Sequence, residues 1–170
     1  MGTGDIFTTI IVIVVAAGLL FIFPMSAISE MNDKEVLAMV QSYTTEFKND
    51  VCTSGKLTQN MLDEFIQKLN ATGNSYEIEI ELHIADTNPG KKTEDQRVGD
   101  TTYYTLYNTQ VMEKIKNGLL LKEGDYIVVY VKNTNTTISQ MFKAVIYGIS
   151  GNQSYSIFTQ DSGPILVTAK

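Results

Sequence analysis

Tryptophan is absent from the 170-residue sequence, and cysteine, histidine and arginine occur once each, as Cys52, His83 and Arg97. A single cysteine excludes a disulfide scaffold within the chain. A single histidine leaves little from which to build a zinc site or a histidine-assisted nucleophile. The chain has 13 Lys+Arg against 19 Asp+Glu, a net charge of −6. That balance excludes a nucleic-acid binder built on a basic patch, since only Arg97 offers a forked phosphate contact. Glycine-rich phosphate loops, nucleophile elbows and the HExxH pair are missing as well. No active site is visible, and neither a cofactor nor a small-molecule substrate is implied. The chain reads as a non-enzyme.

Charge is also missing from one place in particular. Residues 1–29 carry Asp5 alone, so residues 30–170 hold 13 basic and 18 acidic side chains, a net of −5. A hydrophobic content of 44% and a mean hydropathy of −0.02 describe an ordinary one-domain protein and conceal this partition. Ile6 to Phe23 is apolar apart from Thr8, Thr9 and Gly18. Carried on through Ile28, the run makes a helix of roughly 35 Å, enough to cross a bilayer core of about 30 Å with some tilt. A cleaved secretory signal is the alternative. Met-Gly-Thr-Gly-Asp lacks a basic leading segment, however, and cleavage after Ala27 would put Met25 where a small side chain is wanted. The run is read as a retained anchor, making this a single-pass membrane protein. The first basic residue, Lys34, lies among Glu30, Asp33 and Glu35, so basic flanks do not assign the sides. The short N-terminal stub and the polar bulk of the chain place the C-terminal domain on the extracytoplasmic side.

Within the run, Ala16, Ala17 and Gly18 form a patch of small side chains, the kind of surface at which helix backbones approach closely in lipid. Pro24 is expected to kink or locally open the helix without ending it. Beyond Ile28 the pattern turns amphipathic with no turn signal. Val36, Val40, Tyr43, Phe47 and Val51 share one helical face, and neither Gly nor Pro occurs between Met25 and Ser54. A rod from about Ile6 to Val51 follows, roughly 70 Å long. A merely tethered domain usually has a flexible linker at this point, and this one has none.

Ser54-Gly55 ends the rod. Thr58 is placed to cap a second helix, with Leu57 and Leu62 as its hydrophobic staple and Met61, Leu62, Phe65, Ile66 and Leu69 facing inward. Tyr76 to Ile84 alternates apolar residues with Glu77, Glu79, Glu81 and His83, which predicts a strand with one buried and one solvated, acidic face. A polar loop spans 86–101. Leu106–Lys116 reads as a helix with Tyr107, Val111, Met112 and Ile115 inward, and Tyr126–Val131 as a strand. Ile138, Met141, Phe142, Val145, Ile146 and Ile149 make the inward face of another helix, closed by Ser150-Gly151-Asn152. Tyr155–Thr159 and Ile165–Thr168 suit a hairpin around Asp161-Ser162-Gly163-Pro164. The fold class is α+β: a long N-terminal helix, transmembrane then amphipathic, packed on a small antiparallel or mixed sheet with further helices. The divisions are a stub or leader at 1–5, a transmembrane helix at 6–28, its amphipathic continuation at 29–53 and a head domain at 54–170.

Four patterns bear on chemistry. Glu77, Glu79, Glu81 and His83 line one strand face, but residues two apart sit about 7 Å apart and do not converge on an ion. Cys52 reads as a packed or free thiol. Asp86, Glu94, Asp95 and Asp100 lack the spacing of a calcium loop. Asn70-Ala71-Thr72, Asn135-Thr136-Thr137 and Asn152-Gln153-Ser154 match the glycosylation triplet, which is frequent by chance in a chain rich in Thr and Asn.

An apolar N-terminal helix that runs directly into an amphipathic one, ahead of a small α+β head, resembles the type IV pilin family. It is similar also to the relatives that accompany Tad-type pilus machinery, TadE-like or minor pilin-like membrane proteins of Gram-positive bacteria. In this family the apolar half-helices bundle into a filament core, and a short leader ending in glycine is removed. The resemblance implies self-association, or association with other pilin-like and pilus-assembly proteins, through the helix in the lipid bilayer. It implies a cleavage between Gly4 and Asp5 and matches Pro24 to a helix-kinking proline. Cleavage there puts Thr9 at the fifth mature position, where the family typically has Glu. Such a protein would be a structural part of a surface filament or its assembly complex; a monomeric membrane-anchored binding module is the other reading. N-terminal sequencing of the protein from its native membrane tests the first: a mature chain beginning at Asp5 is the expected result, and one beginning at Met1 or Gly2 removes the processing step.

Overall fold

The computed structural model describes residues 3–86, 103–148 and 157–169. The 86–101 loop beyond Asp86, Ser150-Gly151-Asn152 and Tyr155 lie outside them, as does the triplet starting at Asn152. The rod is there in full: α1, Thr3–Ser54, is one uninterrupted helix of 52 residues that passes through Pro24. At about 1.5 Å per residue it is roughly 78 Å long.

Its two halves have opposite environments. On the C-terminal half Val36, Val40, Phe47 and Val51 are buried, and Tyr43 is half-buried. Thr44 shares their face and is fully buried, and its hydroxyl donates to the Val40 carbonyl at 2.7 Å. That internal bond lets a polar residue sit where the pattern asks for an apolar one. On the N-terminal half, Ser26 is the first buried residue among those described. Fourteen large apolar side chains from Ile6 to Ile28 are 47–75% exposed.

The head is built against the C-terminal half. After α1 come β1 (Lys56–Leu57), α2 (Gln59–Asn70), β2 (Tyr76–Ala85), β3 (Tyr103–Leu106), α3 (Asn108–Ile115), β4 (Leu119–Leu120), β5 (Tyr126–Asn133), α4 (Ile138–Tyr147) and β6 (Phe158–Pro164). The described strands form two antiparallel sheets, a short pair β1–β4 and a four-stranded sheet in the order β3-β2-β5-β6. Cross-strand register sets Ile78, Ile80 and Leu82 opposite Val131, Val129 and Ile127. These side chains form one core with Val36, Val40, Phe47 and Val51 of α1, Leu62, Phe65 and Leu69 of α2, and Val111 and Ile115 of α3. Phe47 and Phe65 stack with ring centroids 4.5 Å apart, fixing α2 on α1. Thr58 caps α2 as expected, accepting from the Met61 amide.

Three expectations fail, each for a local reason. The helix read over 106–116 begins only at Asn108. Tyr103-Tyr104-Thr105-Leu106, aromatic and β-branched, forms β3 on the edge of β2. Tyr107 is the extended N-cap residue and is 62% exposed, not inward. The hairpin around 161–164 does not form. Asp161, Ser162, Gly163 and Pro164 continue β6 opposite Val129, Val128, Ile127 and Tyr126, and Pro164 ends an edge strand, where a missing N–H is tolerated. The segment from Ile165 instead crosses the end of α1. The third failure is α4, whose supposed inward face is outward: Ile138, Met141 and Val145 are 62%, 53% and 72% exposed. The buried residues at its start are Thr137, Ser139 and Gln140. Phe142 and Ile146 are half-buried, and Ile149 lies outside the described residues. Helical periodicity reports that a face is apolar; it does not report what covers that face.

Polar side chains close the seams of the head. The buried Asp125 carboxylate accepts from the Ala85 amide at 2.9 Å and the Lys122 amide at 2.8 Å, tying the end of β2 to the turn before β5. Asn133 accepts from the Ile157 amide and donates to the Asn135 carbonyl. At the end of α1, Gly55 has φ +67°, and the chain arriving from β6 lies directly against it. The Leu166 amide donates to the Cys52 carbonyl at 2.9 Å and the Leu121 amide to the Gly55 carbonyl at 2.8 Å. A Cβ at position 55 would clash with the Val167 carbonyl oxygen and lie 2.9 Å from the Ala169 nitrogen. Gly55→Ala therefore combines a left-handed backbone with a backbone clash. It should cost the head at least about 2 kcal/mol, read as a lowered midpoint in chemical denaturation of the detergent-solubilised chain.

Candidate functional site

The surface that stands out is the N-terminal half of α1. A helix that is apolar all round belongs inside something, and before Ser26 no described side chain of this one is buried. At roughly 1 kcal/mol or more for each half-exposed large side chain, leaving it in water costs on the order of 15 kcal/mol, as much as a whole domain's stability. The helix is long and apolar enough to span a membrane. Its few polar groups are already satisfied: the Thr8 hydroxyl donates to the Gly4 carbonyl at 2.9 Å and the Thr9 hydroxyl to the Asp5 carbonyl at 2.7 Å. Such back-bonding removes the unmet donors that hydrocarbon penalises. Asp5 lies in the first turn, where the helix dipole favours a carboxylate.

The residues singled out for assembly all lie on this exposed half. Ala16, Ala17 and Pro24 are exposed and Gly18 is partly so. A Cβ at Gly18 or at Gly4 would meet nothing within 4 Å. Neither glycine is held by packing within the chain, so space beside Gly18 is open to a neighbouring helix.

Where α1 enters the head, a polar clamp joins it to β6. The Asp161 carboxylate accepts from the Thr45 hydroxyl at 2.7 Å and from the Ser162 amide at 2.7 Å, and pairs with the Lys48 ammonium at 3.5 Å. Partial burial pushes its acidity toward the neutral form, but those partners together hold its pKa below the ordinary carboxylate value. Cys52, one turn beyond Lys48, is buried, and burial raises its thiol pKa against the opposing pull of Lys48. A buried thiol with a raised pKa suits the reading of Cys52 as a packed side chain. Nothing in the sequence marks Lys48 and Asp161 as partners, because their 113-residue separation is closed only by the sheet.

The strand face read as acidic carries one basic partner, which two of its glutamates share. Lys132, opposite Glu77 on β5, lies 3.0 Å from the Glu77 carboxylate and 3.2 Å from that of Glu79. Hydrogen bonds to Glu77 and then Glu79 push its pKa up to about 12. His83 shares a hydrogen bond with Thr105 at 3.0 Å and lies 4.0 Å from Glu81. Among the described residues no three His, Cys, Asp or Glu side chains gather as a metal site.

A groove of about 430 Å³ opens between α2, α3 and β2, with Leu62, Ile66, Tyr76, Ile78 and Met112 among its walls. It lies beside the part of β2 that β3 leaves uncovered, since β3 pairs only with Leu82–Ala85. The Asn108 side chain occupies part of that edge, accepting from the Ile80 amide at 3.2 Å and donating to the Ile78 carbonyl at 3.4 Å.

No protein-family model, curated protein or solved structure matches the chain.

The Asp161 clamp has a definite pH signature. A carboxylate with a depressed folded pKa stabilises above its unfolded value of about 4, and that contribution disappears as pH falls through the folded value. Asp161→Asn should therefore lower Tm most near about pH 6–7 and progressively less toward about pH 3. An equal Tm difference at both ends would show that the carboxylate's charge plays no part.

Proposed function

We propose that the chain is a non-enzymatic, pilin-like subunit of a surface appendage or of the complex that assembles it. Residues 6–28 hold it in the bilayer, the head stands on the extracytoplasmic side, and α1 associates with copies of itself or with other pilin-like proteins. The observation that carries this reading is the continuity of α1, whose bare apolar half and packed half are one helix with no joint. A head that only had to be kept near a membrane would need a tether, and flexible tethers are rich in Gly, Ser or Pro. A stiff connection makes sense where every head must adopt the same position relative to its own membrane helix, as in a repeating assembly. The small patch at Ala16, Ala17 and Gly18 supplies a surface on which such helices approach closely.

The groove beside β2 favours a second reading, a monomeric anchored module whose head binds an extended apolar segment of a partner there. On this reading a chain beginning near Glu30 would fold alone and retain partner binding.

Association of the full chain in detergent micelles separates the two. Replacing Ala17 and Gly18 together with Leu should weaken self-association, or co-purification with pilus components, about tenfold, a loss of about 1.4 kcal/mol. Association unchanged by both substitutions would remove α1 as an assembly surface and leave the binding module.

A further inference from the structure

Helix α4 turns an apolar row outward. None of α4's described apolar side chains belongs to the hydrophobic core of the head. Polar contacts seat it on α1: the Thr137 hydroxyl donates to the Asp33 carboxylate at 2.8 Å, and Lys143 pairs with Glu30 at 3.2 Å. These two contacts also give direction. Going from Thr137 to Lys143 along α4 corresponds to going from Asp33 back to Glu30 along α1. The helix therefore descends α1 toward its apolar half, in the sense opposite to α1. A reciprocal capping box starts it, with Gln140 accepting from the Thr137 amide, and Gly148 ends it in the left-handed conformation at φ +64°.

Its exposed row, Ile138, Met141 and Val145, follows the helical spacing of three and four and grows no more polar as it descends. Val145 lies eight residues, about 12 Å, beyond Thr137, so it reaches about the level of α1 residues 25–30. There α1 itself presents exposed Met25, Ile28 and Met31. The two exposed apolar surfaces are thus neighbours at one height, the height at which the apolar run of α1 gives way to Glu30, Asp33 and Lys34. A bilayer has an interfacial layer of roughly 5–7 Å on each side of its hydrocarbon, where apolar side chains sink in while charged groups such as Lys143 and Glu30 stay among headgroups.

We propose that α4 is a second membrane contact: its exposed row enters the interfacial layer of the same bilayer that α1 spans, deepest at Val145 and shallowest at Ile138. The proposal rests on the reading of residues 6–28 as a membrane span. Its consequence is that the head is fixed at two points, one in the hydrocarbon and one at the surface, so that it is held down against the membrane as well as anchored in it.

The test uses the full chain on a Cys52→Ala background, reconstituted in phosphatidylcholine vesicles. Single cysteines at Val145, Ile138, Leu20 and Lys116 carry an environment-sensitive fluorophore. Leu20 is 75% exposed in the middle of the apolar run, and Lys116 is exposed on the head. Nitroxide-bearing lipids quench from inside the bilayer and iodide quenches from water. The expected result is lipid quenching at Val145 about twofold or more above that at Lys116, reduced iodide quenching, and Ile138 between them. Lipid quenching at Leu20 with Val145 behaving like Lys116 would overturn the proposal and leave the span standing. No lipid quenching at Leu20 would overturn the span and the proposal together. Protection of Val145 from both quenchers, deepening with protein-to-lipid ratio, would also overturn it and make α4 a contact between copies of this chain.

Discussion

The stripe on α1 from Val36 to Val51 is the surface against which the head is laid down. α2 stacks Phe65 on Phe47, β6 reaches α1 through Asp161 and Lys48, and the inner sheet residues Ile80, Leu82, Ile127 and Val129 complete the same core. The larger sheet has four described strands and the smaller one two residues per strand, and the core they share is completed by the helix. Every buried side chain of that stripe therefore also ties the head to the bare apolar half of α1. The bare apolar run and the stripe that folds the head share one element, and a change at Val40 or Phe47 would loosen the head from it.

Much of this architecture was legible because it follows from local periodicity. The long helix, the Thr58 cap and the alternation along β2 are written in spacings of three, four and two. What stayed hidden depends on pairings far apart in sequence. β3 exists because β2 offers an edge, although Leu106 and Tyr107 fit a helical pattern equally well. The 161–164 stretch has turn-forming residues, yet β5 beside it recruits all four into a strand. The clamp of Asp161 with Lys48 and Thr45 is invisible until the sheet brings its ends together. As for function, the residues proposed for assembly are simply small or exposed, so the sequence could nominate Ala16, Ala17 and Gly18, but no described element packs on them to say what they meet.

Polar groups inside the head do a different job from those on α1. Asp125, Asn133 and Asn108 each replace a missing main-chain partner where a strand ends or a turn begins. Buried side chains of this kind are costly when unpaired and narrow the range of alternative pairings when satisfied. They give a small, shallow sheet a fixed register. On the apolar half of α1, by contrast, the Thr8 and Thr9 hydroxyls fold back on their own helix and leave its outer surface apolar.

The jointless passage of α1 from bare half to packed half also sets an angle. An α-helix turns about 100° per residue, so the compass bearing of the head around the helix axis is counted out by the residues between Ile28 and Val36. Adding or removing one residue there would swing the head by more than a quarter-turn relative to Gly18. A change of seven would return it to within about 20° of its original bearing, about 10 Å further along the axis. Length and heading are locked together in this stretch, and the sequence between the two halves is in effect a gauge whose graduations are single residues.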